Sequence, residues 1–161
     1  MRWLLLPLLL AGCAGPQLVP GQSTAHDVEA ALGRPAEKHE YANGEVVYYY
    51  PQLPHGRVTY AARIAPDGTL LAFDQRLTEE NIHKVVRGQS RAEDVRDLLG
   101  PPYQPVMTHQ RERETWTYPM RIAADPTPKW FVVQISPDGV VRETYLMDDP
   151  DFVPRGGSRR R

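Results

Sequence analysis

The sequence predicts an α+β protein of two tandem units, each a short helix or helices packed on a three-stranded antiparallel sheet, set behind a leader that is cleaved off. Three observations predict it. The chain opens on a short apolar run that ends in its only cysteine, a block starting at Gly21 is echoed from Gly88, and each block is followed by β-branched and aromatic runs separated by turn residues.

The leader comes first. Met1-Arg2-Trp3 precedes an apolar run from Leu4 to Leu10, then Ala11, Gly12 and Cys13. A membrane-spanning helix needs roughly 20 apolar residues, whereas a secretory h-region has about 7 to 15, so residues 1–12 read as a signal peptide. Leu10-Ala11-Gly12-Cys13 resembles the lipobox of bacterial lipoproteins, which implies that Cys13 becomes an acylated N-terminus. Each buried methylene adds about 0.8 kcal/mol of membrane affinity, and two or more chains anchor stably. Residues 13–20 then form a lipidated linker. Because Cys13 is the sole cysteine, neither an intramolecular disulfide nor a cysteine-based zinc site can form. Ala14 and Gly15 follow it, and neither is the aspartate that commonly retains lipoproteins in the inner membrane of enteric bacteria. The expected location is therefore the outer membrane, facing the periplasm.

The first unit is assigned to residues 21–76 and the second to 77–148. Gly21-Gln22-Ser23-Thr24-Ala25-His26-Asp27-Val28 is echoed by Gly88-Gln89-Ser90-Arg91-Ala92-Glu93-Asp94-Val95. Leu32-Gly33-Arg34-Pro35 is echoed by Leu99-Gly100-Pro101-Pro102. Ser23 and Ser90 read as N-caps, with Glu93 completing a capping box on Ser90. Val28, Ala31 and Leu32, and in the second copy Val95, Leu98 and Leu99, fall at helical spacing. Gly33 and Gly100 end the helices, and the prolines after them cannot continue them. Thr78 to Val86 reads as a further short helix, capped by Thr78, which leads the second unit and has no counterpart in the first.

Strands are expected over 45–50, 57–64 and 69–75, then 112–118, 129–135 and 140–147. Pro66-Asp67-Gly68 and Pro137-Asp138-Gly139 fit tight hairpins, with proline presetting φ and glycine taking φ > 0. Residues 149–161 read as a disordered basic tail, with too little apolar surface to offset ordering entropy.

Charge narrows the partners. The chain carries 19 Lys and Arg against 20 Asp and Glu, a near-balance that gives no support to nucleic-acid binding. The basic cluster Arg155, Arg159, Arg160 and Arg161 is a candidate contact for anionic lipid head groups. His26, His39, His55, His83 and His109 lie far apart, without a metal-ligand spacing. Asp148, Asp149 and Asp151 lack the pattern of an EF-hand loop and read as a solvated acidic turn. No catalytic residue, metal site or cofactor is expected beyond the lipid on Cys13. Tyr48, Tyr50, Trp116 and Tyr118 share strand faces in pairs; they read as core, or, where exposed, as interface anchors.

Leu77-Thr78-Glu79-Glu80-Asn81-Ile82, then Gly88-Gln89-Ser90, Leu99-Gly100-Pro101-Pro102, Trp116-Thr117-Tyr118 and Pro137-Asp138-Gly139 follow one another in an order that resembles the SmpA/OmlA (BamE-like) outer-membrane lipoprotein family. The tandem arrangement resembles the related β-lactamase-inhibitor-like fold. These resemblances imply a two-helix layer on a three-stranded sheet. They also imply a membrane-anchored, non-catalytic interaction lipoprotein that assists outer-membrane protein assembly or envelope integrity through contacts with assembly proteins. The alternative is a periplasmic inhibitor or ligand-binding lipoprotein using a concave surface between two sheets.

Overall fold

The computed structural model describes residues 17–108 and 112–152. The leader, Cys13, His109 and the arginines of the tail lie outside them. Among the described residues no helix is long and apolar enough to cross a membrane.

The chain runs α1 (Ala25–Leu32), β1 (Glu37–Glu40), β2 (Val46–Pro51), β3 (Thr59–Ile64), β4 (Leu70–Gln75), α2 (Glu79–His83), α3 (Ala92–Leu99), β5 (Gln104–Thr108), β6 (Arg113–Met120), β7 (Lys129–Ile135) and β8 (Val141–Asp148). Two antiparallel sheets result, ordered β1-β2-β3-β4 and β5-β6-β7-β8. The α+β class and the two sheets match the sequence reading, but each sheet has a fourth strand. The additions, β1 and β5, are edges. Glu37-Lys38-His39-Glu40 is polar on both faces, and Pro105 has no N–H to give a central ladder; both suit an edge paired on one side only.

The two units repeat each other down to single hydrogen bonds. Each hairpin closes as expected: the Thr69 amide donates to Asp67 Oδ1 at 2.9 Å, and the Val140 amide to Asp138 Oδ1 at 3.2 Å. The hairpin glycine then receives the helix start, Ala25 N–H to Gly68 O and Ala92 N–H to Gly139 O, both at 2.9 Å. The serines do not cap. Ser23 and Ser90 hydroxyls accept the Val19 and Val86 amides, each at 2.9 Å, while their own amides donate back to Val19 O and Val86 O. Each serine is thus spent on closing the preceding turn, which Gly21 and Gly88 enter at positive φ, and the helix starts one residue later. Thr24 caps α1 in a full box with Asp27. Arg91, which has no acceptor, leaves α3 only the reverse bond from its amide to Asp94. Thr78 caps α2 through the Asn81 amide.

Each sheet buries one face on its own unit's helices. In the first unit Val28, Tyr50, Ala62, Ile64 and Leu70 form the core, and Leu18, ahead of Gly21, packs against it. In the second, Val95 and Leu99 of α3 and Ile82 of α2 join Leu77, Trp116, Tyr118, Phe131, Val133 and Val141. The opposite face of the first sheet carries Val47, Tyr49 and Ala61, all buried. What lies against it is the other side of α3: a Cβ on Gly100 would sit 2.6 Å from Thr59 Cγ2 and 3.3 Å from Tyr49 Cδ1.

A second tie joins the units at the end of β8. Asp149 is buried and pairs with Arg57 of the β2–β3 loop, and its carboxylate also accepts the Asp151 amide. The acidic turn is therefore not solvated at Asp149. Its cost of desolvation is met by the Arg57 guanidinium, and the fold extends past 148.

Gly33 and Gly100 allow a matched test of the inter-unit contact. Both have φ near +80°, at 79° and 83°, but a Cβ on Gly33 meets nothing within 4 Å. Alanine at either position incurs similar backbone strain of about 1–3 kcal/mol. Gly100→Ala adds the collision with Thr59, so its chemical-denaturation midpoint should fall further than that of Gly33→Ala, by about 1 kcal/mol or more. Equal losses would contradict the close approach of α3 to the first sheet.

Candidate functional site

A wide opening lies where α3 faces the first sheet. It is a cleft of about 700 Å³ lined on one side by Glu37, His39, Tyr41 and Tyr49 and on the other by Ala92, Glu93, Asp94, Arg96 and Asp97, with Trp116 completing the wall. Glu37 and His39 reach it because strand alternation places them on the same face of the first sheet as Tyr49 and Val47, their register partners. The helix residues reach it because Val95 and Leu99 are turned into the second core. The opening between the units is thus walled mainly by the first sheet and helix α3, with Trp116 the contribution of the second sheet.

Arg96 organises the cleft. Its Nη1 lies 2.6 and 2.7 Å from the two carboxylate oxygens of Glu37, and its guanidinium carbon is 5.2 Å from the centre of the Trp116 ring. The cation is held between a carboxylate and an aromatic face, each attractive on its own. Both partners of the ion pair are about one-third exposed, so solvent screens the pair and its contribution is about 1 kcal/mol. One helical position on, Asp97 accepts a hydrogen bond from the Tyr41 hydroxyl. His39 meets the Tyr41 ring edge-on at 4.7 Å. Asp94 is engaged by the Arg91 amide, and Glu93 extends into solvent beside Arg91.

The wall therefore carries four carboxylates against one guanidinium. Burial, reinforced by the bond to Asp97, pushes the Tyr41 phenol well above its ordinary value; burial takes Tyr118 well above it too, and raises Tyr49. Such phenols stay protonated at neutral pH, and Tyr41 uses its hydroxyl as a donor to Asp97. Among the described residues no cluster of metal-binding side chains occurs.

The residues singled out from the sequence scatter. Tyr48 is half-buried on the α1 side of the first sheet, with Lys38 Nζ 4.0 Å above its ring. Tyr50 and Tyr118 are core residues, and their hydroxyls donate to the carbonyls of the helix-ending glycines, Gly33 at 3.2 Å and Gly100 at 3.1 Å. They lock helix to sheet and are not surface anchors. Trp116, although only 4% exposed, alone of the four reaches the cleft. Cys13, Arg155, Arg159, Arg160 and Arg161 lie outside the described residues. Glu37, Tyr41, Arg96 and Asp97 went unrecognised in the sequence. A signal for Arg96 exists only in comparing the copies, where Glu29 occupies the equivalent position of α1.

No protein-family model matches the chain, and no curated protein matches it in sequence, so the resemblance to the SmpA/OmlA family rests on the motifs alone. Among solved structures, the chain is similar to a DUF4309 family protein (YjgB) from Bacillus subtilis subsp. subtilis str. 168, at 20% identity and a TM-score of 0.33, covering 82% of each chain. It is also similar to a "putative beta-lactamase inhibitor protein" from Streptococcus mutans, at 10% identity and a TM-score of 0.32, covering 78% of this chain and 83% of that one. Neither likeness assigns a role to any residue here.

The buried tyrosines set an alkaline limit. Burial and the charge of Glu29 push Tyr50 up to about 12 from 10.0, in the same direction as Tyr41, Tyr49 and Tyr118. The folded state then holds protons that the unfolded chain has released, so the stability these groups add is whole below pH 10 and is lost as pH rises through their raised values. Tyrosinate absorbance of the native protein should lag behind that of the urea-unfolded chain above pH 10. Coincident titration curves would contradict the burial of these phenols.

Proposed function

We propose that the chain is a non-catalytic interaction lipoprotein, tethered through Cys13 to the periplasmic face of the outer membrane, whose inter-unit cleft takes a cationic segment of an envelope or outer-membrane assembly protein. One observation carries the binding part of this reading: the cleft wall is predominantly carboxylate, and its aromatic floor, Trp116, already holds a guanidinium in the form of Arg96. A second Arg or Lys side chain arriving from a partner would meet the remaining carboxylates of the wall, of which Glu93 and Asp94 are exposed. The basic residues Arg155 and Arg159 to Arg161 would add contact with anionic head groups, worth about 1 kcal/mol each near a charged surface.

The cleft is tested with an Arg- and Lys-rich fluorescent peptide at low salt. Binding should weaken with added salt and drop about tenfold or more in Glu93→Lys, a change at an exposed rim position that leaves the core untouched. An absence of binding at low salt, or equal affinity in the variant, would remove the cleft from the account.

The tether is tested separately. Cys13→Ser should abolish lipid labelling and leave an uncleaved precursor or a soluble form in fractionated cells. Unchanged membrane attachment would contradict the anchor.

A further inference from the structure

The two sheets end on equivalent strands, β4 and β8, that differ in how the edge is protected. Both begin under the same cap. Gly21 N–H donates to Leu70 O and Leu70 N–H to Ser23 O; Gly88 N–H donates to Val141 O and Val141 N–H to Ser90 O. Both carry a register shift at the same point, Arg63/Ile64 and Gln134/Ile135. Past that point the register aligns Asp74, Gln75 and Arg76 of the first unit with Tyr145, Leu146 and Met147 of the second.

The chemistry at these positions is opposite. Asp74 and Arg76 pair with each other, and the chain leaves directly into Leu77 and α2, so the first edge is charged and short. Tyr145, Leu146 and Met147 are 43%, 46% and 40% exposed, three consecutive large apolar side chains on a strand that, among the described residues, pairs on one side only. A soluble sheet normally blunts such an edge with charge, as this chain does in its first unit.

We infer that the β8 edge is a self-association site, at which a second copy of this chain adds its own β8 antiparallel to make one continuous sheet across two molecules. The sequence of β8 selects both the partner and the register. Centred on Tyr145, antiparallel pairing sets Tyr145 against the partner's Tyr145, Thr144 against the partner's Leu146, and Arg142 against the partner's Asp148. Opposite charges then meet at both ends, where Arg142 already pairs with Asp138 and Asp148 with Lys129 in their own chain, so the contact joins these pairs into a network; the aromatic pair lies in the middle. Shifting by one residue toward the C-terminus sets Glu143 against the partner's Asp148, a like-charge contact. Shifting the other way sets Arg142 against the partner's Met147 and removes the charge match. The pairing is isologous: it uses one edge of each molecule and closes at two copies.

The experiment uses full-length lipidated protein in mild detergent, where acylated Cys13 leaves no competing thiol. In Tyr145→Cys the new thiol faces its own counterpart across the two-fold axis, and mild oxidation should give a disulfide-linked dimer. Asp74→Cys, at the equivalent place on the guarded edge, should stay monomeric. Met147→Lys should lower the dimer fraction in sedimentation at least tenfold. Arg142→Asp and Asp148→Arg should each weaken association, and the double exchange should restore it. Cross-linking of Tyr145→Cys no greater than that of Asp74→Cys, or dimers that survive Met147→Lys, would overturn the assignment. So would a monomer at all concentrations whose β8 edge cross-links to a different envelope protein.

Discussion

Helix α3 has packing partners on two sides, and the rest of the molecule depends on that. Val95 and Leu99 are fully buried in the second core, while Arg96, Asp97 and Gly100 meet the first sheet. An eight-residue helix is marginal in water, since nucleation fixes several residues for a single hydrogen bond. Its stability must come from burial, at about 1.5–3 kcal/mol for each large apolar side chain. Without α3, the Val47, Tyr49 and Ala61 face of the first sheet would be open to water. With it, two small units share one helix, and the cleft is the part of their junction that the helix does not fill.

The asymmetry between the copies follows from this sharing. In α1 the outer side has no sheet to meet, and Glu29 and Ala30 stand where α3 has Arg96 and Asp97. Gly33 has open space around it where Gly100 has Thr59 and Tyr49. The repeated motif therefore encodes the unit, through the turn closed by Ser23 or Ser90, the hairpin closed by Asp67 or Asp138, and the tyrosine that bonds the last glycine of the helix. The departures from the repeat encode what each unit touches. Arg96, Arg57 with Asp149, and the apolar run of β8 are all departures.

That division also explains what was legible beforehand. Helices, hairpins and the central strands announce themselves through local periodicity and turn chemistry, and they appear within a residue or two of their expected bounds, except that α2 ends at His83 and not at Val86. The serines misled because the same hydroxyl can cap forward or close a turn backward, and only the path of residues 19–23 and 86–90 decides which. β1 escaped because Glu37-Lys38-His39-Glu40 has no apolar alternation; backbone pairing with β2 holds it in place. The cleft escaped for a different reason: its residues come from a missed strand, a helix face and a remote strand, and no spacing in one dimension brings Glu37 and Arg96 together. Trp116 was visible as an aromatic on a strand, but not as the one that reaches the junction.

If α3 binds the two units into one body, they must lose structure together. The direct measurement is native-state hydrogen exchange in increasing denaturant, comparing the amides of β3 in the first sheet with those of β7 in the second. Joint dependence on α3 predicts that both sets converge on one opening free energy and one denaturant midpoint. Opening of β3 at a clearly lower free energy, with β7 still protected, would show that the first sheet stands or falls without the helix, and would contradict the account.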